Sequence, residues 1–512
     1  MFEGIAAGVS TAFAPFNLAM VVLGCFAGTF IGLLPGLGPI TAVALMIPLT
    51  YSLEPSSGLI LMAGVYYGAV FGGSTSSILI NAPGTASTVA TSFDGYPLAR
   101  SGQAGKALAV AAYASFTGGT IGALALLVAA PLLAQVALRF QSPDYFALML
   151  LALTAITAFS GTASNAASNS RSQLLPAFLM TILGLMLGTV GADATSGLPR
   201  FTFGRLDLID GLSFLLLAMA TFALAEVVGN VLEGRHRGRS LPPETQQLGS
   251  LRLTKAELRD IAPATGRSSL LGFVVGVLPG VGATLASFIA YGVERNLAPR
   301  VLQERFGTGS LRGLAAPEAA NNAASTGSFV PLLTLGIPGS GTTAIMLGAL
   351  IASGIDPGPR LFVDQPGLFW SVIVSMYLGN LVLLLLNLPL IPFFAKLLRI
   401  QAQLLIPLVL LFSVIGVYLV SFNTVDIQIM VGVAAVALLL KGLGFPMAPV
   451  LLGFILSAYL EDNLQRSLIL YDGSFRFLWE RPTTLCIMLV TFSFLFMPVL
   501  RSLLTRRHLR NS

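Results

Sequence analysis

Charge is scarce in this sequence. Aspartate, glutamate, lysine and arginine make up 10% of its 512 residues, against about 25% in an ordinary soluble domain. That shortage excludes a chain kept in solution by a charged surface. Histidine is scarcer still: His236 and His508 both lie in basic segments, which removes most metal sites and histidine-based catalytic groups. Cys25 and Cys486 sit in apolar stretches, so neither a disulfide framework nor a thiolate metal site is expected. Met1 to Ser10 carries no basic run ahead of its apolar residues, and no cleavable signal peptide is expected. Gly72-Gly73-Ser74 offers a serine without a histidine base, and Gly102-Gln103-Ala104-Gly105-Lys106 lacks the phosphate-loop pattern. The sequence does not read as an enzyme, and no cofactor is expected.

What is present is hydrophobic. Apolar residues reach 55%, with a mean hydropathy of +0.84. Gly367 to Phe394 and Thr483 to Leu500 are long enough to cross hydrocarbon, which takes about 20 residues. The net charge of +6 calls for no nucleic-acid partner. Much of it lies in short loops and in the tail (Arg501, Arg506, Arg507, Arg510), where it reads as topology information. The partner implied is a lipid bilayer.

An internal repeat runs through the chain. Gly28, Gly32, Pro35, Gly36 and Gly38 correspond to Gly272, Gly276, Pro279, Gly280 and Gly282 at one offset of 244. Asn81 to Thr85 resembles Gly336 to Ser340 at an offset of 255, and Leu138 to Gln141 resembles Leu398 to Gln401 at 260. Offsets that grow in order suit a duplication with small insertions. Arg295, Arg300, Arg305 and Arg312 make residues 294–312 cytoplasmic, whereas the matching loop 51–57 has only Glu54. Residues 94–106, with Arg100 and Lys106, contrast in the same way with 353–366, which has Asp356 and Asp364 against Arg360. Equivalent loops on opposite sides indicate inverted repeats.

The charges also place re-entrant hairpins at Pro279-Gly280 and Pro35-Gly36. The expected fold is an all-α polytopic membrane protein of about 11 transmembrane helices plus hairpins. Its parts are a first repeat (1–232), a basic cytoplasmic linker (233–267), a second repeat (268–480), and a last span with a basic, cytoplasmic tail (481–512).

Four Gly/Pro-rich interruptions carry the candidate chemistry. Proline inside a helix removes a donor, and in hydrocarbon such breaks survive only inside protein or beside a wet cavity. Half-helix ends can then hold an anion at free N–H groups or a cation at carbonyls. Around the first break stand Ser74, Thr75, Ser76, Ser77, Asn81, Pro83, Gly84, Thr85, Ser87, Thr88, Thr91 and Ser92. Around the second stand Ser325, Thr326, Ser328, Gly336, Pro338, Gly339, Ser340, Gly341, Thr342 and Thr343. Hydroxyls both donate and accept, so these residues could bind a carboxylate or complete a sodium shell. Gly32, Pro35, Gly36 and Gly38, with Gly276, Pro279, Gly280 and Gly282, are expected at hairpin tips or hinges. The rival reading is packing: Gly24, Gly28 and Gly32 at spacing four also make a helix-contact face.

Glu318 is the ionisable group that stands out, with Asn321 and Asn322 on its helical face. It could take a proton, help bind sodium, or cap a helix start after Pro317. Asp94, in Phe93-Asp94-Gly95-Tyr96-Pro97, has turn chemistry and is expected in a loop. Glu226 and Glu461 are expected near span ends.

Five motifs carry a resemblance: GLLPGLGP (Gly32 to Pro39), YGAVFGGSTSSILINAPGT (Tyr67 to Thr85), FDGYP (Phe93 to Pro97), APEAANNA (Ala316 to Ala323) and LGIPGSGT (Leu335 to Thr342). Together they resemble the large membrane subunit of tripartite tricarboxylate transporters. The resemblance implies a bacterial inner-membrane permease working with a small membrane subunit and a periplasmic substrate-binding protein. It further implies uptake of citrate or related carboxylates on a sodium or proton gradient, by an elevator-type fold. On it, Asn81 to Thr88 and Pro338 to Thr343 become the substrate and ion site. An anion channel, an exporter and a non-transport scaffold remain the alternatives.

Overall fold

The computed structural model describes residues 2–34, 37–165, 174–193, 197–232, 249–280, 282–397 and 405–508. Pro35, Gly36, residues 233–248 of the linker and Leu398 to Gln401 lie outside them. Helix dominates, and among the described residues the one sheet is a two-residue antiparallel pair, Gly191–Ala192 with Pro199–Arg200. Among the described residues five helices are long and apolar enough to cross a membrane, the longest single stretch being Ala86–Ala137, and several shorter ones are also apolar. This is a helical membrane protein.

The chain divides into two units. The first comprises Met1–Ala134, Leu215–Leu278 and Gly282–Leu439. Its first segment holds α1 (Pro15–Gly32), α2 (Pro39–Thr50), α3 (Pro55–Ile80), α4 (Val89–Leu98) and α5 (Ala104–Ala137). Its second holds α6 (Lys255–Val277), α7 (Gly282–Leu297), α8 (Leu311–Gly327), α9 (Gly341–Ala352) and α10 (Pro366–Leu397). Proline stands in the first turn of α1, α2 and α3, where its missing N–H costs nothing. α3 is buried all along Ser57 to Leu79. Surrounded on every side, it carries no amphipathic stripe.

Glycine fixes how these helices meet. A Cβ at Gly28 would fall 2.2 Å from the Val65 carbonyl oxygen, and one at Gly32 2.2 Å from that of Ala69. In return, one at Gly72 would fall 2.2 Å from the Thr29 oxygen. The second segment repeats the register: Gly272 meets Ala320 and Gly276 meets Ala324, each at 2.3 Å, and Gly327 meets Phe273 at 2.6 Å. Every α1 position moves by 244 to its α6 counterpart, and every α3 position by 255 to its α8 counterpart. With no hydrophobic drive between helices in lipid, such backbone-to-backbone approach is what holds them. The arms then cross: α2 packs on α9, and α7 packs on α4 and the turn Ala86–Thr88.

The second unit comprises Gln135–Phe214, Pro279–Val281 and Leu440–Ser512. Helices Leu174–Gly188 and Ala448–Leu470 touch at Gly184 and Gly453, whose added Cβ atoms would meet the carbonyls of Val450 (2.1 Å) and Thr181 (2.4 Å). Asp144, fully buried, accepts from Arg481 (2.8 Å), Thr483 and Thr484 (2.6 Å each) and so ties Ser142–Asn165 to the start of Pro482–His508. Glu461 accepts from Arg200 at 2.7 Å.

Candidate functional site

Both breaks lie in the first unit. α3 ends at Asn81, whose left-handed backbone (φ 50°, ψ 38°) returns its N–H to the Ser76 carbonyl. The helix Phe329–Leu335 ends at Gly336 (φ 67°, ψ 26°), whose N–H returns to Pro331. Such a cap satisfies carbonyls that a helix end would orphan, and a proline two residues later, Pro83 or Pro338, stops the helix from resuming. The chain then restarts on a hydroxyl. Thr85 accepts the Ser87 N–H at 3.1 Å, and Ser340 accepts the Thr343 N–H at 3.2 Å while Thr343 Oγ1 accepts the Ser340 N–H at 2.8 Å. Gly84 and Gly339 occupy tight places, with added Cβ atoms 2.7 Å from the Cα atoms of Gly73 and Ser328.

Gly38 lies beside the first cap, its Cβ position 3.8 Å from Thr85 Cβ, and Gly282 beside the second, 3.9 Å from Ser340 Cβ. Gly280 (φ 79°) turns the chain between α6 and α7. Ser77 donates to Thr88 at 2.8 Å, Ser76 to the Gly73 carbonyl, and Ser325 to the Asn321 carbonyl. Thr342 is buried in the first turn of α9. Asn81 to Thr88 and Gly336 to Thr343 thus form two hydroxyl-capped breaks.

Glu318 lies elsewhere in the unit. It sits mid-helix in α8 with no exposed surface, so it caps no helix start. Its Oε2 accepts from Ser74 on α3 and Ser115 on α5, each at 2.8 Å, and its Oε1 accepts from Thr91 on α4. Asn321 and Asn322 do not reach this carboxylate. Asn322 donates to the Glu318 backbone carbonyl (3.0 Å) and to Asn321 Oδ1 (2.6 Å), and Asn321 Nδ2 finds no partner among the described residues. Three groups were outside the expected site. Ser115 has no break motif near it, Tyr66 is not singled out by the sequence, and Tyr67 enters only as the start of a resemblance motif. Tyr67 meets Thr326 at 2.7 Å, and Tyr66 lies 3.4 Å from Ser340 Oγ.

A family model described as "Tripartite tricarboxylate transporter TctA family" matches residues 18–452. The chain belongs to this family. TctA proteins are transporters, not enzymes. A protein of Agrobacterium vitis, named as an uncharacterized 52.8 kDa protein in the TAR-I ttuC' 3'region, is 40% identical over 507 residues, covering 99% of this chain and 98% of its own. A second from the same organism, in the TAR-II ttuC' 3'region, is 45% identical over 202 residues, covering 40% of this chain and 83% of its own. No solved structure matches.

Within this TctA chain one expectation is corrected. Asp94 is in helix α4, not a loop, and is fully buried. Its Oδ1 accepts three backbone N–H groups, from Gly307 and Gly309 (2.9 Å each) and Ser310 (2.7 Å). Phe93 beside it packs on Phe288 and Tyr291 of α7. The motif Phe93 to Pro97 is a clamp that holds the loop leading into α8. The turn residues Asp, Gly and Pro misled because burial, which sequence does not display, gave the carboxylate loop amides instead of its own backbone.

Proposed function

We propose that this chain is the large permease subunit of a binding-protein-dependent secondary transporter that imports tricarboxylates or related carboxylates. It works in the bacterial inner membrane with its C-terminus cytoplasmic, beside a small membrane subunit and a periplasmic substrate-binding protein, on a sodium or proton gradient. The observation that carries this reading is the pair of hydroxyl-capped breaks, Asn81 to Thr88 and Gly336 to Thr343, recurring at one displacement. Backbone and hydroxyl donors at such breaks suit a carboxylate without a buried arginine.

Family membership supports the class. The recurrence of α1–α3 glycine contacts in α6–α8, together with the crossed arms, supports two repeats, and the loop charges support their inversion and about 11 spans; the elevator-type mechanism rests on the family resemblance. The boundaries read from sequence (1–232, 233–267, 268–480, 481–512) belong to the same proposal. Uptake of labelled citrate into proteoliposomes holding this chain and its small partner tests it. The binding protein and an inward sodium gradient are added singly and together. Uptake that requires both bears the reading out; flux that needs neither replaces it with a channel.

A further inference from the structure

The cavity beside Glu318 is lined by Ser74, Thr75, Ser115 and Asn387 along with apolar side chains, and it has room for about one water molecule. We propose that these four residues and Glu318 form a binding site for a single sodium ion. The role of that ion, coupling, rests on the carrier reading above; the site itself does not.

Three hydroxyls donate to the Glu318 carboxylate, and that arrangement solvates an ionised group. An ionised carboxylate away from water still needs a positive charge close by. Among the described residues no lysine, arginine or histidine pairs with Glu318. The cavity wall supplies what a hard cation would use. Asn387 on α10 lines the cavity and gives an N–H to the Leu383 carbonyl (2.9 Å), which leaves its side-chain oxygen available as an acceptor. Ser74, Thr75 and Ser115 can each turn a lone pair to an ion. The oxygens are hard donors and the set carries one negative charge, so it balances a monovalent ion. A calcium site would gather more carboxylates.

The site also draws on separate helices: α3 (Ser74, Thr75), α5 (Ser115), α8 (Glu318) and α10 (Asn387). An ion there would tie them together one turn from Ser76 and Ser77, whose neighbours are Gly84 and Thr88 of the first break. That is a physical route from cation binding to the carboxylate-binding break.

The test is equilibrium binding of radioactive sodium to the purified full-length chain in detergent, at fixed pH, with choline or potassium replacing unlabelled sodium. No carboxylate and no partner subunit is added. The expected result is saturable binding of one ion per chain, displaced by sodium and not by choline. Glu318→Gln should abolish it, and Ser115→Ala and Asn387→Ala should each weaken it about tenfold, with the gel-filtration profile unchanged. Absence of saturable binding overturns the site. So does unchanged affinity in Ser115→Ala and Asn387→Ala, which carry the test if Glu318→Gln does not fold. A Glu318→Gln chain that loses pH dependence of uptake while keeping sodium affinity also overturns it, in favour of a proton. Sodium binding without gradient-driven carboxylate uptake would leave this site standing and remove the carrier reading instead.

Discussion

From Asn81 to Thr88 and from Gly336 to Thr343 the backbone follows one course: a left-handed cap, a proline, a tight glycine and a hydroxyl that opens the next helix. The side chains around that course differ. Asn81 and Ala86 are exposed and Pro83 and Thr85 half-buried, whereas Gly336 to Ser340 are all buried. At the 255 displacement Ser74 and Ser77 become Phe329 and Leu332, Asp94 becomes Ala349, and Glu318 answers to Ala63. Small residues and backbone caps keep the common frame. The polar chemistry is placed once, where the second segment's carboxylate meets the first segment's hydroxyls. A second carboxylate at the matching place would add its own desolvation cost, and the asymmetry inside the symmetric frame avoids it.

The largest effects should come from breaking the shared frame. Gly32→Leu and Gly276→Leu each force a side chain onto a carbonyl already at contact. Overpacking of this kind costs about 3 kcal/mol or more, and both should lose most of their folded yield by fluorescence-detected gel filtration. Tolerance of one and not the other would show that the two segments are packed unequally. Next comes the clamp that the first segment alone possesses. Asp94→Ala leaves three loop N–H groups without their acceptor and should lower stability by about 2–4 kcal/mol. Asp94→Asn should cost less, and Ala349→Ser, at the matching place, should cost almost nothing; melting temperatures in detergent rank them.

The hydroxyls at the two breaks provide a subtler comparison. Thr85→Val and Thr342→Val should each cut carboxylate uptake about tenfold, the scale of one lost hydrogen bond at a binding site. Insertion should stay intact, and normal uptake by both would remove them from the site. The half-buried Thr85 is expected to show the larger loss. The smallest effect concerns the entry to α6, where Glu257 stands at the place Phe13 holds before α1. Its carboxyl, in the basic segment read as outside the bilayer, is drawn down to about 2, first by the Lys106 ammonium 2.8 Å away and then by the Thr254 backbone N–H. A carboxylate with a depressed pKa adds stability that is present above its unfolded value and is lost as pH falls through the folded one. Between about pH 4.5 and pH 2 the chain should therefore lose a small increment that Lys106→Met lacks. The pair is partly solvated, which keeps the increment small.

Much of the fold could be read in the sequence, because burial in lipid demands apolar length and positive loops, and close helix contact demands glycine. The offsets of 244 and 255 were visible as letters, and the helix contacts fall at the same displacements. The break residues were visible too, since proline, glycine, asparagine and small hydroxyls make caps of this kind. Glu318 was conspicuous as a lone acid, but its partners were not. Asn321 and Asn322 share its helix face and looked closest, yet an amide at spacing four reaches the backbone carbonyl rather than the carboxylate. Ser74, Thr91 and Ser115 come from 244, 227 and 203 residues away, and no local period announces such a meeting. The sequence by itself determined the membrane class, the paired breaks and the family. Only the tertiary structure decided which hydroxyls surround Glu318 and that Asp94 clamps a distant loop. Both depend on long-range packing of small residues, which brings side chains together without leaving a local pattern in the chain.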